Sequence, residues 1–242
     1  MLIAEGFGHD GHRRFGHDDD PLKYRVIIDP IDGTRNIMYD KRSAWFIASV
    51  TPDKGPNTKL SHAIASVIVE LPTSKAGFAD TFTAVAGGKV EAKRVPLAGG
   101  KSTTIPMQPS RADTLLNGFA QVSNFFPGTK VLASQLMEEI AHEVLGRVET
   151  GMAAVFDDQY ITTAGQMTEL MVGHDRFICD LRPLFYQVIS KHTGIPVRGL
   201  ECHPYDLAGM LVARQAGVIL TDGFGRPLDA RLDVHTGVHW CG

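Results

Sequence analysis

A chain of 242 residues with 43% hydrophobic residues and a formal net charge of −3 can bury a substantial core in one large domain or two small ones. This charge argues against a nucleic-acid binder, because affinity for the phosphate backbone requires a concentrated basic surface. No segment approaches the roughly 18 uninterrupted apolar residues of a membrane helix, and the first residues lack the features of a signal peptide. We therefore expect a globular, cytoplasmic protein without nucleic-acid or membrane partners.

The three cysteines are predicted to be free thiols. Cys179, Cys202 and Cys241 are widely spaced, and no two of them form the Cys-x-x-Cys pair that is typical of zinc or redox sites. We therefore interpret them as reduced cysteines of a cytosolic protein.

The first hundred residues are predicted to be dominated by strands. Residues 6–21 are rich in Gly, His and Asp, which favours a loop. The apolar runs that follow are β-branched or aromatic and are bounded by Pro and Gly, as strands usually are. The predicted strands span 24–28, 44–50, 63–71, 81–85 and 89–95, and a glycine turn at 87–88 joins the last two in a hairpin.

The second half of the chain has the pattern of alternating helices and strands. From Val131 to Leu145, apolar residues recur at intervals of three and four, with glutamates between them, as in an amphipathic helix. Further helices are predicted over 165–172 and 206–215, and short strands over 177–181 and 218–221. Because the stretch 97–124 has weak periodicity, we predict a strand-rich α+β domain over residues 1–110 and an α/β domain over residues 111–242.

Residues 29–36, with the sequence Asp-Pro-Ile-Asp-Gly-Thr-Arg-Asn, follow a strongly apolar strand and concentrate hard oxygen ligands in one turn. Mg²⁺ prefers two or three preset carboxylates and completes its coordination with water and phosphate oxygens, so Asp29 and Asp32 suit it. Gly33 and Thr34 offer backbone N–H groups to a phosphate, and the Thr34 hydroxyl is suited to holding a metal-bound water. The alternative is that the two acids only decorate a turn, but the pattern is longer than a turn requires.

A second polar cluster lies near the other end of the chain, at residues 203–209 with the sequence His-Pro-Tyr-Asp-Leu-Ala-Gly. Asp206 occupies the position expected for the N-cap of the predicted helix, and a capping role is the structural alternative. A two-metal site also needs a further anionic ligand, which the first turn cannot supply.

Taken together, the two motifs and the glycine-containing segments 216–223 and 225–229 resemble the inositol monophosphatase family. The resemblance implies the layered αβαβα sugar-phosphatase fold, of mixed α+β and α/β character, and a Mg²⁺-dependent phosphomonoesterase with two or three ions. It also implies a homodimer. The family usually begins with a pair of long helices, one of which supplies an acid that helps to activate water, and this sequence starts close to the first expected ligand.

The resemblance also assigns roles to individual residues. Asp29 and Asp32 are expected to bind Mg²⁺ together with the backbone carbonyl of Ile31, and Asp206 is expected to complete the second metal site beside the phosphate. Gly33 and Thr34 would hold the phosphate, with Thr34 also orienting the attacking water. The catalytic residues are thus expected to be Thr34, Asp29 and Asp32.

An upstream glutamate normally joins the first metal in that family, and Glu5 is the expected residue here. The alternatives are the acids of the following loop, Asp10, Asp18, Asp19 and Asp20.

Residues 182–198 resemble an insertion in a part of the family fold that lines the substrate pocket, so the phosphorylated alcohol stays open between inositol monophosphate and a sugar phosphate. The alternative function is that of a catalytically weak or regulatory member that binds metal and phosphate without efficient turnover.

Overall fold

Two β-sheets of unequal size organise the computed structural model, which describes residues 1–8, 10–17 and 19–242. The larger sheet contains β1 (Leu2–Ala4), β2 (His12–Arg13), β3 (Tyr24–Asp32), β4 (Ala44–Pro52), β5 (Ala65–Leu71), β6 (Phe78–Val85), β7 (Glu91–Pro96) and β8 (Thr103–Thr104). Their order is β2-β1-β3-β4-β5-β6-β7-β8. All neighbours are antiparallel except β1 and β3, which run parallel.

The smaller sheet and the helices come mainly from the second half of the chain. The sheet contains β9 (Gly118–Val122), β10 (Val155–Phe156), β11 (Asp175–Asp180) and β12 (Trp240–Cys241), in the order β10-β9-β11-β12. The helices are α1 (Thr34–Met38), α2 (Lys130–Leu145), α3 (Thr163–Val172), α4 (Arg182–Thr193) and α5 (Met210–Ala216), and a 3-10 turn spans Leu60–His62.

The elements stack in layers, with α3 and α5 between the two sheets. α3 contacts both β4 and β11, and α5 contacts β5 and β6. On the other side of the smaller sheet, Ala133 of α2 and Phe185 of α4 pack against Val122 and Cys179. This arrangement is the layered, mixed fold that the sequence predicts, and the described residues include no helix before α1. None of the described helices combines the length and the apolar character needed to cross a membrane.

Local sequence explains where the helices between and beside the sheets begin and end. Thr162 caps α3, because its side-chain oxygen accepts a hydrogen bond from the backbone N–H of Gly165 at 3.0 Å. α3 ends at Gly173 and α4 ends at Gly194, and both glycines adopt the left-handed conformation that commonly terminates helices. Pro183 lies in the first turn of α4, where its missing N–H costs no hydrogen bond.

Contacts of Tyr160 and Asp158 connect the larger sheet to the segment that leads into α3. The indole N–H of Trp45 on β4 donates to the Tyr160 hydroxyl at 2.9 Å, and that hydroxyl donates to the backbone carbonyl of Ser43 at 2.8 Å. The Arg42 guanidinium lies 3.6 Å from the centre of the Tyr160 ring and pairs with Asp158 at 2.8 Å. These contacts hold the start of α3 against one end of β4.

Most of the predicted strands and helices are present, with ends shifted by a few residues, but the strand predicted over 218–221 is wrong. In that segment only Thr221 pairs, through isolated bridges to Pro227 and Cys241. The sequence pattern also missed β1, which is three residues long, and β9, which lies in the stretch of weak periodicity. The division into domains at residue 110 falls between the last strand of the larger sheet and β9, and it stays a prediction.

The close approach of α5 to the larger sheet at Gly209 yields a stability prediction. A Cβ atom at this position would lie 2.7 Å from the Cδ1 and 2.9 Å from the Cγ1 of Ile68, a fully buried residue of β5. We expect Gly209→Ala to lower the free energy of unfolding by about 1–3 kcal/mol, measured by urea denaturation. Gly77→Ala is the matched control, because nothing lies within 4 Å of its added Cβ. Equal losses in the two variants would contradict the assigned contact.

Candidate metal centre

Three carboxylates from distant parts of the chain converge on one point. Asp29, Asp32 and Asp206 each offer an oxygen atom, and these atoms lie within 4.8 Å of one another. Asp29 and Asp32 are buried and Asp206 is half-buried. The structure therefore brings together the two acids of the first motif and the acid of the second, as the resemblance implied.

A bulge in β3 turns Asp29 and Asp32 to the same face of the larger sheet. Side chains alternate along a regular strand, so residues three apart would point to opposite faces. Here the pairing with β4 shifts register: Asp29 lies opposite Ile47 and Asp32 lies opposite Trp45, so three steps on β3 match two on β4. The extra residue therefore reorients Asp32 toward Asp29.

The turn after Asp32 is held by hydrogen bonds that use the remaining residues of the motif. The Thr34 hydroxyl donates to the carbonyl of Ile31 at 2.9 Å, and the Asn36 side chain donates to the carbonyl of Ile161 at 3.1 Å. Gly33 has a φ of +82°, and a Cβ atom there would lie 2.9 Å from the Cβ of Thr162. Both the backbone conformation and the lack of space thus require glycine at this position.

Asp32 is anchored at the N-terminus of α3. One of its oxygens accepts hydrogen bonds from the Thr162 hydroxyl at 2.7 Å and from the backbone N–H of Ala164 at 2.6 Å. The start of a helix favours a negative charge, so this location stabilises the ionised carboxylate. Sequence reasoning missed Thr162, although a pair of threonines immediately before a helical pattern is a signal for an N-cap.

Asp206 is positioned by a series of turns and not by a helix start. Residues 204–209 form turns, and α5 begins only at Met210, so the helix starts four residues later than predicted and the capping alternative for Asp206 is wrong. Its carboxylate instead accepts a hydrogen bond from the backbone N–H of His203 at 2.6 Å. The His203 ring points elsewhere, with Nδ1 lying 3.0 Å from the carbonyl of Thr236.

The parallel pairing of β1 with β3 brings Glu5 to the same place. Ala4, the last residue of β1, lies opposite Ile28, so Glu5 follows β1 beside Asp29 of β3. Glu5 is exposed and lines the same cavity as the three aspartates. Of the alternatives, Asp10, Asp19 and Asp20 do not line this cavity, and Asp18 lies outside the described residues.

Burial and mutual repulsion disfavour three negative charges at this site. Burial, followed by the charges of Asp32 and Glu5, raises the pKa of Asp29 to about 8. Burial also raises the pKa of Asp32 to about 6, although its bonds from Ala164 and Thr162 oppose the shift. The pKa of Asp206 is raised well above its usual value by burial and by the other two aspartates. A hard divalent cation would relieve this repulsion, and carboxylate oxygens are the ligands that Mg²⁺ prefers, so the residues fit such an ion.

A cavity of about 330 Å³ opens beside the carboxylates. Its lining includes residues that sequence reasoning missed: Phe125, Phe126, Arg182, Leu200 and Glu201. Arg182 is buried and is held by Asp180 at 2.6 Å and by the carbonyl of Leu200 at 3.0 Å. Its guanidinium lies 5.2 and 5.5 Å from the ring centres of Phe125 and Phe126. A cation and two aromatic rings thus face the space next to the carboxylates.

The fold is similar to that of solved phosphatases. An extragenic suppressor from Pyrococcus furiosus is 14% identical, with 99% of this chain and 72% of that chain covered and a TM-score of 0.58. Fructose-1,6-bisphosphatase from Leishmania major is 14% identical, with 99% and 71% covered and a TM-score of 0.61. A staphylococcal IMPase-II bound to inositol monophosphate is 15% identical, with 100% and 70% covered and a TM-score of 0.58.

These similarities confirm, at the level of the fold, the predicted resemblance to the inositol monophosphatase family. The sequence itself matches no protein-family model and no curated protein. The chain spans about 70% of the length of these structures.

The raised pKa values predict how stability depends on pH when divalent cations are removed. Unfolded carboxyl groups titrate near pH 4, whereas the folded-state pKa is about 6 for Asp32 and about 8 for Asp29. Between these values the folded protein retains protons that the unfolded chain releases. We therefore expect the free energy of unfolding to fall, by on the order of a few kcal/mol, as pH rises from about 4 to about 8.

Urea denaturation in EDTA at several pH values checks this expectation. Adding Mg²⁺ should restore more stability at pH 8 than at pH 5, because the carboxylates must be ionised to bind a cation. The Asp29→Asn variant is the control, and its stability should depend less on pH across this window. A wild-type profile that matches that of the variant would contradict the interpretation.

Proposed function

We propose that this chain is a Mg²⁺-dependent phosphomonoesterase that hydrolyses a small phosphorylated alcohol with a metal-activated water. The convergence of Asp29, Asp32 and Asp206 beside a cavity is the observation that supports this function best. Two or three Mg²⁺ ions are expected, as the resemblance implies. Bound Mg²⁺ supplies Lewis-acid stabilisation of the phosphate and lowers the pKa of a bound water.

In this proposal the first motif provides the principal cation ligands. Asp29, Asp32 and the backbone carbonyl of Ile31 would hold the first ion, and Glu5, which follows β1, would add a further carboxylate. The carbonyl oxygen of Ile31 has two lone pairs, so it can accept the hydrogen bond from Thr34 and still face a cation. Asp206 would provide the ligand for a second ion.

Thr34 orients the attacking water. Because its hydroxyl donates its proton to the Ile31 carbonyl, its oxygen lone pairs remain available to accept a hydrogen bond from a water molecule. Thr34 is exposed at the edge of the cavity, where a water can reach it. Gly33 and Thr34 begin the turn into α1, and their backbone N–H groups are proposed to hold the phosphate.

The cavity beside the carboxylates is proposed to take the alcohol part of the substrate. Its volume of about 330 Å³ is at the small end of the range for ligand pockets, which suits a cyclitol or sugar phosphate. Arg182 and Glu201 offer a donor and an acceptor for hydroxyl groups, and Phe125 and Phe126 provide an apolar wall. The staphylococcal structures hold inositol monophosphate and 2'AMP, so this fold accommodates phosphomonoesters of this size.

A catalytically weak or regulatory protein that binds metal and phosphate is the second candidate. It is favoured by the environment of Thr34, whose hydroxyl donates to a carbonyl group and not to a carboxylate that could take up a proton from water. Under either function, a homodimer and a cytoplasmic location stay predictions.

Replacing a proposed cation ligand tests the metal centre. We expect Asp29→Asn, Asp32→Asn and Asp206→Asn each to lower Mg²⁺-dependent phosphate release by about 100-fold or more and to weaken Mg²⁺ binding in calorimetry. Asp113→Asn is the control, because Asp113 is exposed and does not line the cavity. Ligand variants with wild-type activity and Mg²⁺ affinity would refute the assignment.

The role of Thr34 distinguishes the two candidate functions. If the chain is an efficient phosphatase, Thr34→Ala should lower kcat by about 100-fold with little change in Mg²⁺ affinity, and Thr34→Ser should retain most of the activity. Phosphate release from inositol monophosphate and sugar phosphates, with and without Mg²⁺, provides the measurement. A wild-type chain that binds Mg²⁺ and phosphate but releases no phosphate above background would favour the weak or regulatory member.

A further inference from the structure

Two of the three cysteines lie directly opposite each other at the end of the smaller sheet. Cys179 on β11 pairs with Cys241 on β12 in antiparallel register, and their Sγ atoms are 3.0 Å apart. The neighbouring residues Ile178 and Gly242 exchange both backbone hydrogen bonds, at 3.0 and 2.8 Å. The cysteines therefore occupy a non-hydrogen-bonded pair, in which facing side chains approach most closely in an antiparallel ladder.

We infer that Cys179 and Cys241 form a dithiol–disulfide site that a low-molecular-weight disulfide, such as glutathione disulfide, can oxidise. This inference is independent of the proposed phosphatase activity. It also changes the expectation from sequence, because the wide spacing along the chain gave no sign that two thiols lie in contact. A disulfide requires Cβ atoms a few ångströms apart, and two cysteines facing each other in such a pair satisfy this requirement.

The oxidation proceeds by two thiol–disulfide exchanges. The Cys241 thiolate attacks one sulfur of glutathione disulfide, forming a mixed disulfide and releasing one glutathione thiolate. The Cys179 thiolate then attacks the Cys241 sulfur and releases the second glutathione. The two protons lost by the cysteines are taken up by the two glutathione thiolates, so two protein thiols are oxidised and one disulfide is reduced.

The surroundings of the pair assign the first attack to Cys241. Cys179 is buried, whereas Cys241 is half-buried and lines a surface cavity of about 350 Å³ beside Arg176 and Gly242. The contact with Cys179 lowers the pKa of Cys241, which favours its thiolate. An oxidant can therefore reach Cys241 from solvent, and Cys179 is already in place to resolve the mixed disulfide.

The third cysteine provides an internal control. Cys202 is fully buried, and its thiol contacts the Thr163 hydroxyl and the backbone carbonyl of His203. Because these contacts include no sulfur and Cys202 is not exposed to solvent, we expect Cys202 to stay reduced when the other two cysteines are oxidised.

The site joins the short strand β12 to β11, whose last residue, Asp180, binds Arg182. Cys179 precedes Asp180, whose carboxylate binds the Arg182 guanidinium, and β12 pairs only with β11 among the described strands. A covalent bond here would connect residues far apart in the chain and restrict the unfolded state. We expect oxidation to raise the thermal midpoint by about 4–15 °C.

The test equilibrates the reduced full-length chain with glutathione buffers of increasing oxidised fraction. The expected product has lost 2 Da, retains one titratable thiol, and yields a linked Cys179–Cys241 peptide after digestion. Persistence of three thiols at a high oxidised fraction would overturn the inference. A linked peptide that contains Cys202, or a disulfide between two chains, would overturn it as well.

Single variants separate the two steps of the reaction. Cys179→Ser should stop at a mixed disulfide, detected as one glutathione adduct on Cys241, and Cys241→Ser should give neither an adduct nor a disulfide. Cys202→Ala should still form the Cys179–Cys241 disulfide and gain the same thermal shift. If that variant fails to fold, the peptide map of the wild-type chain alone decides the outcome.

Discussion

The burial of three carboxylates close to one another is the physical constraint on which the candidate site depends. Asp29, Asp32 and Asp206 lie within 4.8 Å of one another, in a place where burial alone raises the pKa of each. A group of this kind lowers stability unless protons or a cation compensate its charge. Backbone N–H groups of Ala164 and His203 offset part of the cost, but each bonds to a single carboxylate. The fold therefore maintains an arrangement that is unfavourable by itself and favourable for a divalent cation.

The topology of the larger sheet explains how this arrangement is held in place. The parallel pair β1 and β3 sets Glu5 beside Asp29, and the bulge in β3 turns Asp32 toward the same point. The start of α3 then fixes Asp32, while Trp45 and Tyr160 hold the segment before α3 against β4. Asp29 and Asp32 are thus positioned by β3 and its bulge, Glu5 by the end of β1, and Asp206 by the turns before α5.

The part of the site that could be predicted from sequence is the part encoded locally. The turn from Asp29 to Asn36 needs its acids, glycine and threonine next to one another, so its pattern is visible in the chain. Asp206 stood out in its own polar cluster as a candidate further ligand, but nothing near it in sequence indicates its distance from Asp29, and its role in the site came from the family resemblance. The predicted start of the helix at Asp206 was four residues too early, since local propensity does not distinguish a helix start from a run of turns. The capping role of Thr162 has a local signal, but its bond to Asp32 and the contact of Arg182 with Leu200 are made by the tertiary fold, and local patterns do not report such contacts.

The two sides of the candidate cavity also differ in whether their residues are adjacent in the sequence. The side proposed to bind the phosphate is built from one continuous turn, in which the acids, the glycine and the threonine are adjacent in the sequence. The alcohol side is assembled from three separate segments, which contribute Phe125, Arg182 and Glu201. Arg182 is fixed by Asp180, whereas the rings of Phe125 and Phe126 contact each other and the Arg182 guanidinium, and apolar contacts tolerate exchange of side chains of similar volume. A fold with this division can retain one reaction while its alcohol changes, because substitutions on the second side leave the carboxylate group undisturbed.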